Sequence, residues 1–294
     1  MNNVLSYKYQ DFMIFFTFFL IWFSVQFGEL VEDSVAYIMV VSVGILHGAN
    51  DLLILSKKKS NKKSNVKSIA IYLGIIALCI AIFYINAYVA ILLFVILSAY
   101  HFGEEHLGEK LNQGTIFDTV YFSAYGIFLF SLLFYVSQED VAVIMKELTG
   151  TSFSELQIQV ALIASGVLLV LMSAYVLLAK KKTEVNFGRE LFYFLVLAVV
   201  FNTSSLVLSF AIYFIFWHSI PSIIHQTKFI SGDFNKQAVI HYLKNASIFW
   251  GISLMGLVGL YFLFPEINQF ASIVFAILFA VTAPHTWVMY QMKN

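Results

Sequence analysis

Four short segments of this chain carry side chains that can do chemistry in an otherwise apolar sequence. They are His47-Gly48-Ala49-Asn50-Asp51, Ser98-Ala99-Tyr100-His101-Phe102-Gly103-Glu104-Glu105-His106, Trp217-His218 running through Pro221 and Ser222 to His225-Gln226, and Pro284-His285-Thr286-Trp287. Ionisable groups inside hydrocarbon cost several kcal/mol unless they are paired, so they mark function by default. The chemistry that several imidazoles offer together is metal ligation, with Fe, Zn, Cu and Ni as the fitting ions. The spacing adds companions. His101 stands four residues before Glu105 and three before Glu104, and His47 stands four before Asp51. One helical turn brings such pairs to one face, where a carboxylate orients a metal-bound imidazole. Asp51 and Glu105 are therefore the carboxylates expected to support catalysis, and His47, His101, His218 and His285 are the expected metal ligands. His225 follows His218 by seven residues, about 10 Å along a straight helix, and shares its ion only if Pro221 bends that helix. His106, near the headgroups, and His241, in an expected loop, are set aside.

These residues need elements that bring them to one depth. Of 294 residues, 60% are hydrophobic and 12% charged, about half the charged share of an ordinary soluble domain. Runs of about 20 apolar residues match a hydrocarbon core of about 30 Å. Ten occur, at 11–28, 35–55, 68–85, 87–105, 117–137, 156–179, 190–203, 204–226, 246–264 and 268–291. The expected fold is an all-α polytopic transmembrane bundle of about ten helices, a single domain over 1–294, multi-pass in the cell's inner (plasma) membrane. The seventh run is short and divided from the eighth only by Asn202, Thr203, Ser204 and Ser205, so hydropathy alone also allows nine. Basic residues decide between the counts, because cytoplasmic loops are enriched in Lys and Arg. With ten helices and both termini cytoplasmic, Lys146 is the one residue of 17 Lys and Arg in an outer loop; merging runs seven and eight puts the last two basic segments on the wrong side. The four histidine-bearing helices then all run from outside to inside. His47, His101, His218 and His285 fall roughly 7–15 Å below the cytoplasmic face at about 1.5 Å per residue.

Other classes are excluded or weakened. Lys plus Arg equals Asp plus Glu, so no basic excess points to nucleic acid. The single cysteine, Cys79, rules out a disulfide framework and a zinc–thiolate site. The first run lacks a basic n-region and a cleavage site and is expected to remain a helix. The lysine-rich stretch 56–67 reads as a solvated loop at the membrane face, and 138–155 and 227–245 have room for short interfacial helices. A proton relay or transporter is the main alternative. It requires polar groups from one face to the other, whereas the outer halves of these helices are nearly free of them. A di-iron desaturase would show H-x-x-x-H boxes, and a covalent retinal site an intramembrane lysine; neither is present. A lone intramembrane histidine is more often an interhelical contact than a ligand, but four at matching depth point to a site. Phe128, Phe130, Phe134, Phe214 and Phe216 read as lipid-facing or packing residues, while Tyr100, Trp217 and Trp287 adjoin the histidines and are candidates to line a pocket.

Taken in order, His47-Gly48-Ala49 with Asp51, Ser98 through Gly103, Trp217-His218 with Pro221-Ser222, and Pro284-His285 resemble the Brp/Blh family of membrane β-carotene 15,15'-dioxygenases over roughly residues 40–290. The resemblance implies cleavage of β-carotene, or a related carotenoid, at its central double bond by O2 to give two retinals, with Fe(2+) as cofactor in an all-helical fold embedded in membrane lipid. It also implies His47, His101 and His218 as ligands and a retinal-binding rhodopsin as a downstream partner. Two positions depart from the pattern, Ser222 and Leu52, where family members commonly carry further histidines. The fourth ligand thus rests on depth, which favours His285 over His225.

Overall fold

The computed structural model describes residues 2–58, 62–263 and 267–293, with side chains omitted at 2–8, 62–65, 115, 260, 261 and 267–276. It is all-helical, and no strand occurs among the described residues. The long helices follow the apolar runs: α1 (Asn2–Gln26), α2 (Glu29–Lys58), α3 (Lys62–Ile85), α4 (Ala87–Leu107) and α5 (Thr115–Val136), then a short α6 (Gln138–Thr149), α7 (Glu155–Leu178), α8 (Phe187–Thr203), α9 (Leu206–Ser231), α10 (Lys236–Leu263) and α11 (Ile267–Lys293). Six of them, α2, α3, α4, α5, α7 and α9, are long and apolar enough to cross a membrane, counted over the described residues. The surface agrees. Leu73, Leu78, Ile80 and Tyr84 on α3 and Val167, Val170 and Leu171 on α7 are exposed, an apolar area that a water-soluble monomer does not carry.

The break between α8 and α9 has a local cause. The Ser205 hydroxyl accepts from the Leu208 amide (3.2 Å) and donates to Asp33 (2.6 Å), and the Ser205 amide donates to Glu32 (2.7 Å). A new helix therefore starts there, capped by its own serine and by two carboxylates of α2. Segment 138–155 does hold a short helix, α6. Segment 227–245 does not hold a separate one. Gly232, at φ 82°, closes α9 in a left-handed conformation, and α10 starts four residues later. His241 accordingly lies on α10, exposed and 3.1 Å from Asn245, and not in a loop.

Two helices change register beside their histidines. In α2, residues Val40–Gly44 are π-helical and a turn follows at 49–50, so His47 sits on a short segment between two irregularities. In α9, Tyr213–Ser219 are π-helical and contain His218. Pro221 supplies a reason: its ring would clash with the preceding turn of an α-helix, and it has no N–H to donate. In the i→i+5 register the carbonyl left over is that of Phe216, and the Tyr9 hydroxyl of α1 donates to it. Such π segments occur frequently at functional sites.

The four histidine-bearing helices are neighbours in a closed cycle: α2 touches α9 and α11, and α4 touches the same two. Helix α4 is pinned from behind by α5. A Cβ on Gly103 would lie 2.1 Å from the Phe122 carbonyl oxygen, so only glycine permits this approach.

Candidate metal centre

The cycle of helices becomes a cycle of rings. Centroids of His47 and His285 lie 4.5 Å apart, His285 and His101 5.2 Å, His101 and His218 4.8 Å, and His218 and His47 5.4 Å. Each adjacent pair meets nearly edge to face, at 79–85°. Ligand atoms of His47, His101 and His285 all fall within 4.8 Å of one another, a grouping able to hold an ion, and His218 stands directly beside them. All four are buried, at 1–7% exposure.

The decisive feature is what these rings lack. His47 Nε2, His285 Nε2 and both nitrogens of His101 and His218 have no hydrogen-bond partner. An unsatisfied buried polar atom costs about 1–3 kcal/mol, and native interiors contain few of them. Six in one cluster make a poor hydrophobic contact and a good donor set. His47, His101 and His285 together offer a first-row divalent ion three imidazole nitrogens, a ligand type such ions accept.

The remaining nitrogens of two rings are already spoken for. His285 Nδ1 lies 2.8 Å from Asp51 Oδ1, and Tyr72 donates to the other oxygen of the same carboxylate at 3.1 Å. His47 Nδ1 lies 2.6 Å from the Gly44 carbonyl. The His47 carbonyl, beside the turn at 49–50, accepts from Gln226 (2.9 Å), whose own oxygen accepts from Tyr242 (2.9 Å). Both rings are thereby held with Nε2 free.

The carboxylates differ from the same-helix pairing expected. Asp51 serves His285 of another helix, not His47, because the turn at 49–50 interrupts the helical spacing between them. Glu105 does not bond His101. Its Oε1 lies 2.6 Å from His225 Nδ1 and its Oε2 3.2 Å from Lys293 Nζ. His225, the second candidate for a fourth ligand, is thus engaged away from the ring cluster, and His285 stands within it. His106 pairs with Glu190 at 2.7 Å on α8, with Tyr125 stacked on its ring. It forms a separate polar link between α4 and α8.

The aromatic neighbours also sort differently. Phe102 and Phe214 flank His218, with centroids 4.4 and 5.8 Å away, and Phe214 meets His47 at 5.4 Å. Phe214 is thus a wall of the site and not a lipid-facing residue. Trp217 turns from it and donates to Thr17 (3.2 Å). Tyr100 donates to Glu104 (3.0 Å), and Trp287 packs in the cluster around Ile54 and Tyr242. Sequence reasoning missed Tyr72, Tyr242 and Lys293, and it placed Gln226 among the polar segments without giving it a role. No local signal announces the first two, while Lys293 counts only as a marker of orientation.

The family model described as beta-carotene 15,15'-dioxygenase matches residues 38–293. Neither the curated proteins nor the solved structures yield a match to the chain.

Proposed function

The chain belongs to the beta-carotene 15,15'-dioxygenase family, and from that premise we propose that it cleaves the central double bond of β-carotene with O2 to give two molecules of retinal. The observation that carries this reading is the set of four buried imidazoles with six unpartnered nitrogens. His47, His101, His218 and His285 would hold Fe(2+). Bound there, iron supplies the redox activation of O2 that cleavage of a closed-shell alkene requires, which zinc, without an accessible redox step, does not. Each side chain then has a definable task. Asp51, fixed by Tyr72, orients His285; the Gly44 carbonyl orients His47; Gln226 and Tyr242 steady the strand of backbone that carries His47. Phe102 and Phe214 keep water from the ring cluster and offer an apolar wall against which a polyene can lie. Glu105 is engaged by His225 and Lys293.

In this reading the ten long helices are ten crossings of the plasma membrane, folded as one domain, with both termini in the cytoplasm. Two lysines at one end of the bundle support placing the metal nearer that face. Lys57 donates to the Phe229 and Ile230 carbonyls that end α9, and Lys293 meets Glu105; cytoplasmic ends are the basic ones. A carotenoid dissolves only in the bilayer, so the substrate arrives from lipid and the product leaves to lipid or to a retinal-binding rhodopsin.

The test is pigment extraction from β-carotene-producing bacterial cells with and without the protein, alongside metal analysis of the purified chain. Loss of β-carotene, appearance of retinal and co-purifying iron are expected. Untouched pigment with no bound metal would leave the histidines as a relay or as packing, and would overturn the proposal.

A further inference from the structure

Four histidines buried in a bundle of apolar helices pose a physical problem: a hydrated dication cannot reach them through lipid. A cavity of about 360 Å³ opens at the end of α4, lined among others by Glu104, Glu109, Asp118 and Lys293. Asp118 is occupied, since its carboxylate accepts from the Gln113 and Gly114 amides at 3.0–3.2 Å and caps α5. Glu109 is exposed at the mouth. Glu104 is 6% exposed. Its Oε1 accepts from Tyr100, while its Oε2 makes no hydrogen bond and has only the Lys293 ammonium, 3.7 Å away. Its neighbour Glu105, one residue nearer the helix end and one helical turn beyond His101, is buried, with its Oε1 2.6 Å from His225 Nδ1 and its Oε2 3.2 Å from the same ammonium. The carboxylates therefore form a ladder leading inward from solvent: Glu109 at the mouth, then Glu104, joined through the Lys293 ammonium to Glu105 and its partner His225, on the two helices that carry His101 and His218.

We propose that this ladder is the route by which the divalent ion is loaded into the centre, with the Lys293 ammonium holding the place of the passing cation until it is displaced. The proposal rests on the metal-centre reading above. Oxygen ligands suit a hydrated dication in transit, whereas imidazoles suit its final site. Lys293 is fitted for the gate. Its charge is a compact ammonium on a flexible stem, its side chain is 24% exposed, and it lies at the end of α11, so it swings aside without unfolding a helix. Its ammonium bridges Glu104 and Glu105, and it donates to the Glu104 carbonyl at 3.3 Å. An acidic mouth also concentrates cations, which raises their arrival rate about tenfold or more at low salt.

The experiment follows loading and not turnover. Metal-stripped full-length protein in detergent is mixed with Co(II) in a stopped-flow instrument, and the absorbance of Co(II)–imidazole coordination reports occupancy. Wild type should load to one equivalent, more slowly as salt rises. Glu104→Gln should slow loading about tenfold with the same final occupancy. Glu109→Gln, an exposed change that does not threaten folding, should slow it severalfold, flatten the salt dependence and leave the activity of fully loaded enzyme unchanged. Lys293→Met should accelerate it. Wild-type rates in Glu104→Gln and Glu109→Gln would overturn the route, and so would lower occupancy at unchanged rate, which would make these carboxylates part of the site's affinity. Failure of wild type itself to take up cobalt would instead bring down the metal centre, and the route with it.

Discussion

At the scale of single residues, a carboxylate that bonds a buried imidazole matters through the other nitrogen of that ring. Asp51 holds Nδ1 of His285 and so presents Nε2 to the cluster. In Asp51→Asn the amide still offers one oxygen, but it cannot accept from both His285 and Tyr72 in the present arrangement, and the ring loses its negative partner. Metal affinity should fall about 10–100-fold, the usual cost of losing such an orienting group, as read by competition with a chelator. Unchanged affinity would show that Asp51 orients nothing that the ion senses. Replacing His47, His101, His218 or His285 by Ala should abolish stoichiometric metal and activity while the helices remain inserted; His241→Ala, on the exposed face of α10, should retain both. Full metal content in any one of the four would remove that residue from the ligand set. The four histidines were legible because their depths match along separate helices. Their partners were not. A spacing of four residues pairs Asp51 with His47, and it is the turn at 49–50, silent in composition, that hands Asp51 to His285 of α11.

At the scale of helices, hydropathy located the apolar body of each long helix, because a run of about 20 apolar residues leaves the backbone one way to satisfy its polar groups in lipid. It missed the polar first turns of α1, α2, α3 and α10, which start six to ten residues before their runs. The register within helices was another matter. A π-helical turn changes no residue type, so Val40–Gly44 leaves no trace in the sequence, whereas Tyr213–Ser219 has Pro221 as a signal once its consequence for the Phe216 carbonyl is recognised. Close approach was legible in part. Gly48 and Gly103 both follow their histidines, and glycine allows helices to pack closely, but only one is used so. A Cβ at Gly103 would sit 2.1 Å from the Phe122 carbonyl, while one at Gly48 meets only His285 Nδ1 at 3.8 Å, an ordinary contact. Gly103→Ala should therefore push α4 off α5, cost about 1–3 kcal/mol of stability and weaken metal binding through displacement of His101, two residues away. Gly48→Ala should stay within about 0.5 kcal/mol of wild type. Thermal unfolding of the two proteins in the same detergent, with metal titration beside it, separates them; equal stability would mean that the α4–α5 contact gives way at no cost.

At the scale of the whole molecule, the question is how the bundle sits in the bilayer, and α8 is where the answer is weakest. Its 17 residues span about 25 Å at 1.5 Å each, short of a core of about 30 Å. To cross, it would have to thin the membrane, or anchor its ends with polar groups such as Arg189 and Asn202, at a modest cost. If α8 crosses, everything after it, including α9 and α11 of the four-helix cycle, is oriented by ten crossings. If α8 and α9 act as one span, α10 and its lysines change sides. Three exposed positions distinguish these cases: Glu147 on α6, Lys181 between α7 and α8, and Lys236 at the start of α10. The native cysteine, Cys79, is buried at 5% exposure and is replaced by Ala as a precaution. Single cysteines at the three positions are then treated in intact cells with a membrane-impermeant maleimide. The basic-residue bias predicts labelling at 147 from outside, and labelling at 181 and 236 only after the cells are permeabilised. Labelling at 147 and 236 alone would make α8 and α9 a single crossing. Labelling at 147 and 181 together would break the orientation altogether, and with it the placing of the histidines, of Lys293 and of the acidic mouth beside it on the side from which cytoplasmic metal arrives.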